Sequence, residues 1–268
     1  MSRKKKKLIV FSALAALLIL TALFSEWLVP YDPYEQDLSG ALMPPGKEHI
    51  FGTDRYGRDL FSRVLVGSRT TVFSALLTVG IIMTVGTLAG TFAGWKGGKT
   101  ETLIMRISDV FLSFPGMVFA IAVAGILGGG LGNAVLALSV VSWPKYARLA
   151  RSQVAAIREM PYLAAARFGG SSTAQIVFVH LLPNIAGSIL VTAVLDIGTM
   201  IMELAGLSFL GLGAQPPTAE WGSMMSNGRS MLQTCPWTIL APGAAIFVTV
   251  VIFHLLGDAI RDCMDIRE

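Results

Sequence analysis

Between Val110 and Pro144 the chain runs for 35 residues without one charged side chain. A soluble helix must show water a polar face, and this run has none to show. Its solvent is therefore lipid. About 20 apolar residues cross the roughly 30 Å hydrocarbon core of a bilayer, so the run is too long for one span. Gly128-Gly-Gly-Leu-Gly-Asn133 lies in its middle and predicts a break between two spans, on the outer side. Pro115 is expected to kink the first of them, and Pro144 to lie near the inner end of the second.

The remaining sequence agrees with a membrane domain. Only 14% of residues are charged, against about 25% in a soluble domain, and the mean hydropathy is +0.65. The net charge of +4 is no nucleic-acid signal, because the cations are strung between apolar runs, where they set orientation. Arg3 to Lys7 precedes the uncharged run Leu8 to Ser25. A cleaved leader would have a shorter apolar core and a small-x-small site, whereas Glu26-Trp27 follows here; an uncleaved first span with its N-terminus inside is expected. Trp27 and Tyr31 then fall near the outer interface.

Pro30 to Gly57, rich in proline and glycine, reads as an outer loop. In it Gly52 and Gly57 suit tight turns, and Asp54 suits bonds back to nearby amides. Leu60, Phe61, Val64 and Leu65 recur at helical spacing and predict a short amphipathic helix leading into span two, Thr71 to Trp95. Gly86, Gly90 and Gly94, four apart, predict close approach of a neighbouring helix. Lys145 to Pro183 carries five of the chain's 21 lysines and arginines and reads as a cytoplasmic helical loop that a second protein engages. Span five is expected from Leu181 to about Ala205, with Ser208 to Gly213 leaving it and an outer segment running to Pro236. Span six is expected from Trp237 to Leu256, and Asp258 to Glu268, with Arg261 and Arg267, inside.

The expectation is an all-α integral membrane protein of six transmembrane helices with both termini cytoplasmic. It divides into 1–70, a first span plus an outer segment, and a core at 71–268. Four cations, Arg55, Arg58, Arg63 and Arg69, oppose this topology by lying outside. Cys235 and Cys263 fall on opposite sides and cannot pair.

No catalytic constellation and no metal cage is found. His49, His180 and His254 fall in different layers, and there is no His-x-x-x-His or paired cysteine. The methionines around span five read as packing. Gly98-Lys99-Thr100 resembles the end of a phosphate-binding loop, but the first glycine that motif needs is replaced by Ala93. No cofactor is expected. Two acids lie in span five. Asp196 and Glu203 are seven residues apart, on nearly one helix face and about 10 Å apart along the axis. Such acids avoid lipid; they either line a translocation path or hydrogen-bond between helices.

Ala165–Ala166, Gly170 and His180-Leu-Leu-Pro183 have the spacing of a docking signature. With these residues the chain resembles the permease subunits of bacterial ABC importers, although Ala164 stands where the signature has glutamate. Phe51-Gly-Thr-Asp54, Gly57-Arg-Asp59, Ser62-Arg63, Leu207 to Gly213 and Glu220-Trp-Gly222 extend the likeness to the dipeptide/oligopeptide/nickel branch. Leu195-Asp-Ile-Gly198 and Pro217 to Gly222 are most similar to its second nickel permease. The resemblance implies a type I importer permease fold in the bacterial inner membrane and a coupling loop at 145–183, with Ala165, Ala166, Gly170, His180, Leu182 and Pro183 meeting the ATPase. It implies a homologous second permease, two ATPase subunits and an extracytoplasmic solute-binding protein as partners. It further implies no enzymatic activity in this chain, and nickel, free or chelated, as cargo, with dipeptides or oligopeptides as the alternative. A secondary transporter or channel, the competing class, would show inverted repeats, broken mid-membrane helices or charged filter rings; none is found in the sequence.

Overall fold

A computed structural model describes residues 3–264, and every regular element in them is helical. Ser2, Arg267 and the last residues of the expected inner C-terminal segment lie outside the described residues. Helix α1 is Arg3–Leu23. After a mostly irregular stretch with single helical turns at Ser25–Leu28 and Leu38–Gly40 comes α2, Leu60–Lys96, then α3, Gly98–Leu112, and α4, Gly116–Ile126. Helix α5 is Leu131–Ile157 and α6 is the short Pro161–Phe168. Helix α7, Thr173–Phe209, passes through a π turn at Ile176–Leu181. Helix α8 is Trp221–Gly228 and α9 is Trp237–Met264.

By length and apolarity, four of these helices can cross a membrane: α1, α2, α7 and α9. The pair α3–α4, bent by 89°, makes a fifth if it counts as one span. Helix α5 is long enough, but its second half carries Lys145, Arg148 and Arg151.

Several expected boundaries move. The short amphipathic helix and span two are one helix, because Asp59 caps Leu60–Lys96 by accepting from the Ser62 amide at 2.7 Å and nothing interrupts it until Gly97. Pro115 ends a helix in a sharp elbow and does not merely kink it. Pro144 lies inside α5, so the expected loop from Lys145 begins as continuing helix as far as Ile157. Span five begins earlier than Leu181, at Thr173.

Helices α2 and α5 run parallel and meet along the glycine stripe. A Cβ on Gly86 would strike the Trp143 carbonyl, one on Gly90 the Ala147 carbonyl, and one on Gly94 would sit 2.9 Å from the Arg151 carbonyl. The backbones touch where side chains would otherwise hold them apart. The core continues through Ile82, Leu138 and Tyr146 to Ile197, Ile201 and Leu204 of α7. A second cluster at the start of α2 gathers Leu60, Val64, Val72, Trp221 and Met224.

Candidate functional site

Two regions hold the residues singled out by the sequence. The first is a wall of α7 facing α5 and the α3–α4 elbow. Asp196 is 3% exposed. Its Oδ1 accepts from Lys145 Nζ at 2.6 Å and its Oδ2 from the Tyr146 hydroxyl at 2.9 Å. The stripe that fixes α2 against α5 also fixes this contact, since Tyr146 packs against Gly86. Asp196, Thr199 and Glu203 of α7 line a cavity of about 180 Å³ with Ser142 and Lys145 of α5 and Phe111 and Phe114 at the elbow. The structure thus places both acids on one cavity wall, and it makes Asp196 a partner between helices as well. A lipid-facing charge at mid-bilayer costs about 2.5–3.5 kcal/mol on insertion scales. Lys145 answers Asp196; Glu203 has no hydrogen bond or ion pair among the described residues. Sequence reasoning missed Lys145 and Tyr146. The signal was available: an acid inside a span calls for a cation at the same depth.

The second region is α6 and the joint that follows it. Ala165 and Ala166 lie on α6, with Ala165 exposed and Ala166 half-buried. Gly170 follows the helix at φ +82°, where a side chain is strained, and nothing lies within 4 Å of a Cβ built there. His180 sits in the π turn, and Leu182 and Pro183 continue into the body of α7. Pro183 lacks an amide hydrogen, and the turn widens so that the Leu182 amide reaches the Val177 carbonyl. Asn184 Nδ2 then donates to the His180 carbonyl at 2.6 Å. The motif is thus a widened π turn inside α7, a few residues after the end of the short helix.

Several of the loop's cations find partners within the chain while remaining partly exposed. Arg151 pairs with Glu101, Arg148 with Asp109 at 2.5 Å, and Arg167 stacks on the Trp95 ring at 4.0 Å. The exposed positions of α6 and the turn after it are mostly small or apolar, Ala164, Ala165, Gly169, Gly170 and Phe168, which is 93% exposed, with Tyr162 and Arg167 exposed beside them. Phe168 was invisible to motif reasoning because the signature leaves that position open.

At the other end of α2, Asp54 Oδ1 accepts from the amides of Tyr56 and Arg58 at 2.8 and 3.1 Å, and its Oδ2 from Arg58 Nε at 2.7 Å. Arg63 donates to the Pro33 carbonyl at 2.8 Å, and Trp237 Nε1 to the Thr53 carbonyl at 3.2 Å. The expected turns at Gly52 and Gly57 both have positive φ. Arg69 pairs with Glu26. Arg63 Nε also lies 3.7 Å from Asp54 Oδ2, so acids answer three of the four cations that oppose the expected orientation. Cys235 and Cys263 are free thiols.

Glu220, 1% exposed, caps α8 by accepting from the Gly222 and Ser223 amides at 2.9 and 2.8 Å. Burial pushes its carboxyl above the ordinary value of 4.5, and those amides oppose the shift. The folded chain then holds this proton more tightly than the unfolded one. The associated stability is full below pH 4.5 and is lost as pH rises through the folded value. Glu220→Gln removes the titration. The melting temperature of the wild type relative to this variant should therefore fall as pH rises from 4.5. A difference that ignores pH would show that the carboxyl is not perturbed.

The family model for binding-protein-dependent transport system inner membrane components matches residues 86–267, and that for the N-terminal transmembrane domain of oligopeptide transport permease C matches residues 3–45. The chain is 45% identical to a probable D,D-dipeptide transport system permease protein of Escherichia coli (strain K12), over 98% of this chain and 88% of that protein. It is 40% identical to the nickel transport system permease protein of the same organism, over 93% of this chain and 90% of that protein. A glutathione transport system permease protein of Escherichia coli O6:K15:H31 (strain 536 / UPEC) is 41% identical, over 93% and 82%. Among solved structures, an inward-facing methionine ABC transporter aligns with a TM-score of 0.60 at 18% identity, covering 76% of this chain and 97% of that one.

Proposed function

The chain belongs to the family of binding-protein-dependent transport system inner membrane components, and on that premise we propose that it forms half of the translocation path of an ATP-driven importer. A homologous permease supplies the other half, two ATPase subunits drive the pair, and an extracytoplasmic protein delivers cargo. The chain crosses the membrane six times with both termini cytoplasmic: α1, α2, the bent α3–α4 pair, α5, α7 and α9 are the spans. Helix α6 and the π turn at His180 to Pro183 lie in the cytoplasm and receive the ATPase.

The observation that supports this reading best is the outward face of α6. Its one cation, Arg167, stacks on Trp95, while Phe168 stands almost wholly exposed near Ala165 and Gly170. An exposed aromatic ringed by small residues is the composition of an interface anchor. Ala165→Trp and Phe168→Asp alter only exposed positions, so the folded yield should hold. Co-purification of the ATPases should fall by at least about tenfold, the effect of losing one anchor of 2 kcal/mol or more. Retained ATPases and normal uptake in both variants would remove α6 from the interface.

For cargo, the wall at Asp196 and Glu203 favours a small organic molecule over a bare metal ion. A divalent ion draws oxygen ligands to roughly 2.0–2.6 Å. Asp196 is already held by Lys145 and Tyr146, and Glu203 lies about 10 Å further along the helix. A short peptide fits this wall, and nickel would cross as a chelate. Uptake of radioactive nickel with and without a histidine chelator, against excess dipeptide, separates the cases. Uptake of the unchelated ion that dipeptides leave unchanged would reverse the reading.

A further inference from the structure

We propose that Glu203 is the binding residue for a protonated amine on the cargo. The inference rests on the permease reading and adds the chemical group that the path recognises. Two carboxylates share one cavity wall, and among the described residues only one is hydrogen-bonded, the Lys145 ammonium reaching the other only through space. Asp196 holds the primary ammonium of Lys145 and the hydroxyl of Tyr146. Glu203 lies two turns away on the same face. It is half-buried and, among the described residues, has neither hydrogen bond nor ion pair. The cavity between them is open enough for a ligand group, at about 180 Å³.

The walls suit an ammonium. Phe111 and Phe114 offer aromatic faces, which attract cations. Ser142 and Thr199 offer hydroxyl acceptors. An anion would meet Glu203 unpaired and Lys145 already engaged. A metal ion would find one carboxylate free of hydrogen bonds, a lysine ammonium that cannot ligate and the Met200 thioether, and no imidazole or thiolate in the lining. Lys145 on Asp196 is the contact that a cargo amine would repeat on Glu203. The cargo class is accordingly an amine-bearing molecule, such as a peptide with a free N-terminus or a chelate that keeps an amino group. A cation from the partner permease could supply the same chemistry, and the experiment separates the two sources.

The test uses the assembled transporter, with Cys235 and Cys263 replaced by serine and Thr199→Cys as the reporter beside Glu203. Labelling rates are compared for cationic and anionic methanethiosulfonates in nucleotide-free and ATP-bound states. The cationic reagent should react at least about tenfold faster, as field focusing in a charged cleft allows. That preference should vanish with Glu203→Gln and persist with Glu203→Asp. Dialanine should slow the cationic reaction, and N-acetyl-dialanine should not. An unchanged preference in Glu203→Gln, or equal protection by both peptides, overturns the proposal. So does a reporter unreactive in every state, which would mean that the partner permease covers and pairs Glu203. Failure of the ATPases to assemble with the chain would strike the permease reading instead.

Discussion

Gly90→Leu should leave almost no folded chain in the membrane. The substitution sets a branched side chain where the Ala147 carbonyl and Cα of α5 already stand. These are backbone atoms, and no rotamer change clears them. Overpacking a core costs about 1–3 kcal/mol when neighbours can shift, and more when they cannot. Here relief requires prying α2 from α5 along their whole parallel seam. That seam also orients Tyr146 toward Asp196, so the damage reaches the cavity wall. Gly80 is the control: it lies on the same helix with nothing within 4 Å of its missing Cβ. Gly80→Leu should express and melt like the wild type. Detergent-extracted yield and melting temperature decide the matter, and equal values for the two variants would show that the stripe is not a packing seam.

How far the sequence could be read follows from which forces are local. Glycines at a four-residue spacing declare a seam, and Gly86, Gly90 and Gly94 form one. Gly52, Asp54 and Gly57 declare turns, and positive φ at both glycines with Asp54 accepting two amides bears that out. Helix ends were harder, because charge was taken as the edge of the membrane. Lys145 ended the uncharged run but not the helix, since Tyr146 to Ile157 is a strong helix-forming segment. Pro144 removes only its own amide from the ladder. The joint at His180 to Pro183 was legible as a motif, whereas its π turn depends on what Pro183 denies and Asn184 supplies. Contacts across the chain were not legible. Lys145 and Asp196 are 51 residues apart; an acid inside a span calls for a cation at its depth, but the sequence does not say which one. Phe168 was missed for the opposite reason: what marks it is its 93% exposure, which appears only once the chain is folded.

Lys145→Met should destabilise the chain more than Asp196→Asn, and the double variant should recover most of the loss. Removing the lysine strands a carboxylate that is 3% exposed, with the Tyr146 hydroxyl as its one remaining donor among the described residues. Breaking a buried pair this way costs about 3–5 kcal/mol. The Lys145 side chain is 54% exposed to the cavity, so water eases the loss toward about 3 kcal/mol. For a chain of this size that is roughly 6–12 °C in melting temperature. Asp196→Asn keeps a partner for Tyr146, and its orphaned lysine can swing into the cavity, so it costs less. In the double variant no buried charge is left, and apolar replacement of an ion pair is often neutral or better. The cycle therefore yields a large coupling energy between positions 145 and 196. Transport separates the two roles of the pair. If the pair only braces the helices, uptake returns in the double variant along with stability. If it lines the path, the double variant is stable and still fails to import, and the charge retained inside the bundle is there for the cargo. A Lys145→Met chain as stable as the wild type would mean that the ammonium does not hold Asp196 at all.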